Sequence, residues 1–293
     1  MKSVLSDRKT ILLLLIPALL FYTAVRLVPV FWSFGLSFFE GDLRGFDFVG
    51  ADNFVKLFND KELGQALLMS GKYAFIVTIG QVVLGYLLAL FYIFVLRKSS
   101  AFIRAIIFFP TVLPTVAIAL LFKRFFEVAP QTGPVNAILN GFGLPSIDWL
   151  GQADSAFIVI VIMELWSSMG FFAILLYAGL IDIPEELIES ARLDGATGFQ
   201  LVKSIVLPLS LPVLLSALIF SFNATIKVFD SIYALTLGGP GTSTQPLTLY
   251  MYKTTFSFQD YGYGSTLALL LTVICLVVTL AIFGSARRDR TKA

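Results

Sequence analysis

Six long apolar runs dominate this chain. They fall at about 11–34, 71–96, 105–122, 156–181, 209–232 and 265–283. Each reaches the roughly 18 residues that cross about 30 Å of hydrocarbon as a helix. Inside lipid every backbone N–H and C=O must find its partner within the protein, which leaves helices as the natural form for isolated runs of this kind. The expected fold class is therefore an all-α polytopic membrane protein with six transmembrane helices. Composition agrees: 57% of the residues are hydrophobic and 14% charged, against about 25% charged in a soluble domain. The first run is too long for a secretory h-region and lacks an A-x-A-like cleavage site, so it is expected to be a retained helix.

The Lys and Arg residues orient the spans. Twelve of the 21 lie in the N-terminus (1–10), the 97–104 turn, the 182–208 loop and the C-terminal tail (285–293); six lie in the much longer loops at 35–70, 123–155 and 236–263. That bias puts both termini and the 182–208 loop in the cytoplasm. Prolines recur in or beside the runs, at Pro17, Pro29, Pro110, Pro114, Pro208 and Pro212. They fit either kinked packing or irregular backbone lining a path.

Several function classes drop out. A net charge of +2 with no long basic run gives no footprint for nucleic acid. There is no histidine, so no His-based metal site or general base, and Cys275 is the lone cysteine. No G-x-x-x-x-G-K-[ST] phosphate loop occurs; Gly198 to Lys203-Ser204 lacks the second glycine. The chain is expected to hold no cofactor and to hydrolyse no ATP itself.

The 182–208 loop is the one long polar, structured interruption. Asp182 and Glu185 have capping-box spacing with Pro184 in the first turn, and Leu187, Ile188 and Ala191 share a face up to Gly195. Thr197 and Gln200 repeat the capping spacing, and Phe199, Val202 and Val206 give a second helix an apolar face before Pro208. The predicted form is a helical hairpin. An amphipathic hairpin lying on the bilayer would favour Lys and Arg on its polar face; this one carries Glu185, Glu186, Glu189 and Asp194 against Arg192 and Lys203.

This segment resembles the cytoplasmic coupling loop of binding-protein-dependent ABC importers, whose pattern is E-A-A, three residues, G, nine residues, I-x-L-P. Here it stands as Glu189-Ser190-Ala191, Gly195 and Ile205-Val206-Leu207-Pro208, with serine for the middle alanine, and Asp194-Gly195-Ala196 matches the D-G-A of sugar permeases. Leu237-Gly238-Gly239-Pro240 with Thr244, Leu249-Tyr250-Met251-Tyr252 and Phe256, then Tyr261-Gly262-Tyr263-Gly264, is similar to the last external loop of carbohydrate permeases of the maltose and glycerol-phosphate kind, first membrane subunit.

The resemblance implies a type I ABC importer permease fold with its core over 71–284, in a bacterial or archaeal cell membrane. It implies a second homologous permease, two ATP-binding subunits that hold the ATP and Mg, an extracytoplasmic solute-binding protein and a sugar substrate. Glu189, Ala191, Asp194, Gly195, Ala196, Ile205, Leu207 and Pro208 would then couple the chain to the ATPase.

Charges within spans are costly and usually face a cavity or a partner. Asn223, Lys227 and Asp230, four and three apart, are expected on one face of the fifth helix. Glu164, Ser167 and Ser168 share a face of the fourth, with Trp166 nearby. Lys227 has Asp230 and Glu164 as possible ion-pair partners. Two readings stand, a structural ion pair or the wall of a sugar-sized cavity, for which Glu164, Trp166, Ser168, Asn223, Lys227 and Asp230 are the substrate-path candidates. Gln81 is a weaker one, and none of the 29 Phe residues is assigned a site. The rival function is an ion-coupled secondary transporter using Glu164 and Asp230, a class that usually has more spans and inverted repeats.

Overall fold

The computed structural model describes residues 8–96, 100–128 and 131–290. Parts of the expected basic termini (1–7, 291–293) and of the basic turn (97–99) lie outside them. Helix α1 (Arg8–Tyr22) runs through a π-turn, Thr23–Leu27, into α2 (Val28–Leu36). Strands β1 (Phe39–Asp42) and β2 (Gly45–Phe48) and helix α3 (Asp52–Asn59) follow. Helix α4 (Lys61–Phe91) ends in the π-turn Tyr92–Leu96; then come α5 (Ser100–Val112), α6 (Thr115–Phe125), α7 (Pro134–Gly141) and α8 (Ala153–Ile181). Helices α9 (Glu185–Leu193) and α10 (Gly198–Leu201) precede the π-turn Val202–Val206 and α11 (Leu207–Thr225). The last are α12 (Asp230–Thr236), α13 (Leu247–Tyr252) with the π-turn Lys253–Ser257, and α14 (Tyr261–Arg290).

Among the described residues, five helical stretches are long and apolar enough to cross a membrane, and six if α5 and α6 form one broken span. The expected third span at 105–122, whose Pro110 and Pro114 fit kinked or irregular backbone, is a broken one. α5 and α6 meet at 93°, and the break falls at Leu113-Pro114. Proline lacks an N–H and disfavours helical φ/ψ at the residue before it. Two other prolines leave a milder mark. The carbonyls four residues before Pro29 and Pro208 belong to Val25 and Ser204, and both sit in π-turns. A π-turn absorbs the bond and the space that proline denies the α-helix.

The chain divides into two compact units. The first, 1–61 with 250–273, holds the β1–β2 hairpin in the register Phe39↔Phe48. Asn53 Nδ2, buried, donates to the carbonyls of Ser37 (3.0 Å) and Phe39 (2.8 Å). The Tyr-Gly-Tyr-Gly sequence is explained within this unit. Tyr263 Oη and Tyr250 Oη each donate to Asp60 at 2.5 Å. A Cβ on Gly262 would lie 1.7 Å from the Phe39 carbonyl oxygen, and one on Gly264 would lie 2.0 Å from Thr255 Oγ1. Lys56 reaches Asp260 at 3.0 Å and lies 4.1 Å over the Tyr263 ring.

The second unit, 62–249 with 274–293, carries two apolar clusters strung along α4 and α8. One joins Met69, Tyr73 and Val77 to α6, α8 and α12; the other joins Val82, Tyr86 and Ala89 to α8, the 182–208 hairpin and α11. Close backbone approach sets α8 against α5: a Cβ on Gly170 would lie 2.4 Å from the Ile107 carbonyl oxygen. The 123–155 loop is folded around Asn136, fully buried in α7. Its Nδ2 donates to the Glu127 and Ile147 carbonyls, and its Oδ1 accepts from Ile147 N and Trp149 Nε1.

Candidate functional site: the helical hairpin and the membrane cleft

The 182–208 hairpin is closed by backbone geometry. Gly195 has φ +89°, its N–H donates to the Arg192 carbonyl, and the N–H of Ala196 donates to the Ala191 carbonyl. This is a Schellman turn, whose left-handed residue favours glycine. The expected side-chain caps are absent. Asp182 ends α8, Pro184 occupies the first N-cap, and Thr197 takes the second without a side-chain bond. Backbone bonds already serve these starts: Leu187 N donates to the Pro184 carbonyl and Gln200 N to the Thr197 carbonyl. The second arm is also not a separate helix, since Gly198–Thr225 is one continuous membrane-length stretch. Any push on the hairpin therefore acts directly on α11.

The apolar residues of the hairpin point two ways. Ala191, Leu201 and Val206 are buried, with Ile188, Ala196 and Ile205 packed around them against α4, α8 and α11. Leu193 is 88% exposed and Phe199 79%. Glu189, Asp194, Gly195, Leu207 and Pro208 are exposed as well. So Ala191, Ala196 and Ile205 fasten the hairpin to the bundle, while the other five present it outward.

A second feature lies between α4, α5, α6, α8 and α11. A cleft of about 270 Å³ is lined by Gln81, Thr111, Glu164, Ser167, Ser168 and three rings, Phe171, Phe172 and Phe220. Ser167 Oγ and Ser168 Oγ both donate to the Glu164 carbonyl, at 3.0 and 2.5 Å. Gln81 is the hub: at 2% exposure it donates Nε2 to Ser168 Oγ at 2.8 Å and accepts from Ser221 Oγ at 2.5 Å. Thr78–Thr225 (3.1 Å) and Tyr86–Ser210 (3.0 Å) extend this polar seam between α4 and α11. Tyr73 Oη, fully buried, has no hydrogen-bond partner of normal geometry and lies within electrostatic reach of Glu164.

Of the six substrate-path candidates, Glu164 and Ser168 line this cleft. Trp166 instead packs against Phe122, ring centres 5.7 Å apart. Asn223 Nδ2 donates to Ile219 O and to Thr279 Oγ1 of α14, both at 2.9 Å. The expected single face for Asn223, Lys227 and Asp230 does not form, because α11 stops at Thr225 and α12 starts at Asp230. Lys227 and Asp230 are exposed, and among the described residues Lys227 bridges neither Asp230 nor Glu164. Sequence reasoning underrated Gln81 and passed over the Phe171–Phe220 pair, whose ring centres are 5.3 Å apart. The signal available was a lone amide, Gln81, within an otherwise apolar run; for Phe171 there was none, since 29 phenylalanines hid it. Among the described residues no cluster of His, Cys, Asp and Glu could hold a metal ion.

A bundle of membrane-length helices, one polar seam and one outward-facing hairpin define a multi-span membrane permease subunit. The chain belongs to the family described as "Binding-protein-dependent transport system inner membrane component", whose profile matches residues 81–290. It is 34% identical over 273 residues to the probable ABC transporter permease protein YurN of Bacillus subtilis, covering 92% of each chain. It is also 34% identical over 284 residues to the trehalose/maltose transport system permease protein MalF of Thermococcus litoralis, covering 94% of each. Among solved structures, a chain of a bacterial ABC transporter importing the acidic polysaccharide alginate shares the fold, with TM-score 0.85, 24% identity and 98% of both chains covered.

Proposed function

We propose that this chain is one membrane half of an ATP-driven importer for a sugar or oligosaccharide, with both termini and the hairpin in the cytoplasm. The observation that carries the reading is the hairpin: a rigid turn fused to a membrane helix, with Leu193 and Phe199 bare. Such a surface suits a groove on a separate ATPase, and closure of two ATPases would rock the helices that the hairpins join. ATP and Mg belong to those partners; this chain contributes coupling and the path. A second permease, two ATP-binding subunits and an extracytoplasmic binding protein complete the assembly. Sugar transport is supported by relatives described as trehalose/maltose, sulfoquinovosyl glycerol and multiple sugar-binding permeases. The cleft suits such a ligand, with hydroxyls and an amide for its OH groups and phenyl faces for its C–H surfaces.

In reconstituted membranes, uptake should need ATP and be blocked by vanadate. Uptake driven by an ion gradient without any ATPase subunit would overturn the assignment. In a Cys275→Ser background, Leu193→Cys should react with a membrane-impermeant maleimide only from the cytoplasmic side. Gly195→Asp should abolish uptake and weaken ATPase co-purification while leaving membrane insertion normal.

A further inference from the structure

A groove of about 610 Å³, within the range of about 300–1,000 Å³ typical of ligand pockets, separates the hairpin from α4. One wall is Leu87, Leu90, Phe91, Phe94 and Val95, at the end of a membrane-crossing helix. The other is the inner side of the hairpin, with Leu201, Val202 and Arg192. No acidic side chain lines the groove, and Arg192 makes no salt bridge among the described residues. Leu193 and Phe199, the bare surface offered to the ATPase, lie outside it.

We propose that this groove binds an anionic phospholipid, its acyl chain along α4 and its phosphate on Arg192. The wall chemistry selects the occupant. Five apolar side chains at the end of a helix long and apolar enough to cross a membrane suit lipid tails better than water. One unpaired cation at their polar end matches a negative headgroup, and basic pockets beside spans on the cytoplasmic side attract such headgroups. A lipid wedged here touches both the force-receiving hairpin and α4, so it ties hairpin position to the charge of the surrounding leaflet. The choice of the cytoplasmic leaflet rests on the orientation proposed above.

The test is lipid retention by the full-length chain, purified with its partner subunits in mild detergent. The sample is incubated with equal amounts of dioleoyl-phosphatidylglycerol and dioleoyl-phosphatidylcholine and analysed by native mass spectrometry. Phosphatidylglycerol should be retained about fivefold over phosphatidylcholine, the scale of one cation–headgroup contact. Arg192→Gln should bring the ratio near one, Arg192→Lys should keep it, and Leu90→Trp should reduce retention of both lipids. Equal retention of the two lipids by the wild type, or a preference unchanged in Arg192→Gln, would overturn the site. An Arg192-dependent preference together with Leu193→Cys labelling only from outside would keep the lipid site and refute the importer orientation.

Discussion

Gln81 shows how much one residue can hold in a span. Its amide joins Ser168 on α8 to Ser221 on α11, with almost no exposure. Removing one partner of a buried hydrogen bond strands the other, at a cost of about 1–3 kcal/mol. Gln81→Leu strands the Ser221 hydroxyl and takes from Ser168 the donor it accepts from, and should lower the unfolding temperature of the purified chain by several degrees; Ser221→Ala should do so by less. Thermal melts in one detergent check both. Glu164→Gln keeps the backbone carbonyl that Ser167 and Ser168 use, so assembly should survive while the uptake KM changes. Wild-type uptake kinetics in that variant would remove Glu164 from the path. Asp230, exposed at the start of α12 and absent from the cleft lining, should tolerate Asp230→Ala with little effect on the same kinetics.

At the scale of elements, the length of the apolar runs located the spans and proline chemistry shaped them. Four of the six apolar runs lie in continuous helical stretches and those at 105–122 and 209–232 are broken, and the hairpin's turn was legible because Gly195 satisfies a backbone demand that sequence displays directly. The right-angle bend at Pro114 was not legible. Prolines at 110, 114 and 212 look alike in sequence, yet Pro110 and Pro212 sit inside helices. The break between Thr225 and Asp230 was missed because an apolar run continues across it. Spacing then placed Lys227 on a helical face that does not exist. Side-chain capping was overread, since a glycine or proline start needs no hydroxyl when backbone bonds already close the turn. Helix approach is testable. Gly170→Val inserts atoms where the Ile107 carbonyl already sits, and overpacking costs about 1–3 kcal/mol. The variant should separate α5 from α8, seen as faster proteolysis in the 100–125 region. Gly284→Val, which meets nothing within 4 Å, should behave as wild type.

At the scale of the whole molecule, the two ends of the architecture differ in what they ask of their surroundings. The first span, Ile11–Leu36, buries none of its apolar window within the chain, so lipid or another subunit must cover it. Phe31→Ala and Trp32→Ala should therefore leave the thermal stability of the isolated chain within about 0.5 kcal/mol of wild type. The second unit is held by its own clusters and seam, and its hairpin exposes Leu193 and Phe199. That bare hairpin has a consequence for biogenesis. On the coupling role proposed above, an ATPase would cover Leu193 and Phe199, and a copy made in excess of that partner would display the kind of greasy tip that chaperones and membrane proteases recognise. Supply of the motor subunit would then set how many of these channels survive in the cell, whatever the rate at which this chain is synthesised.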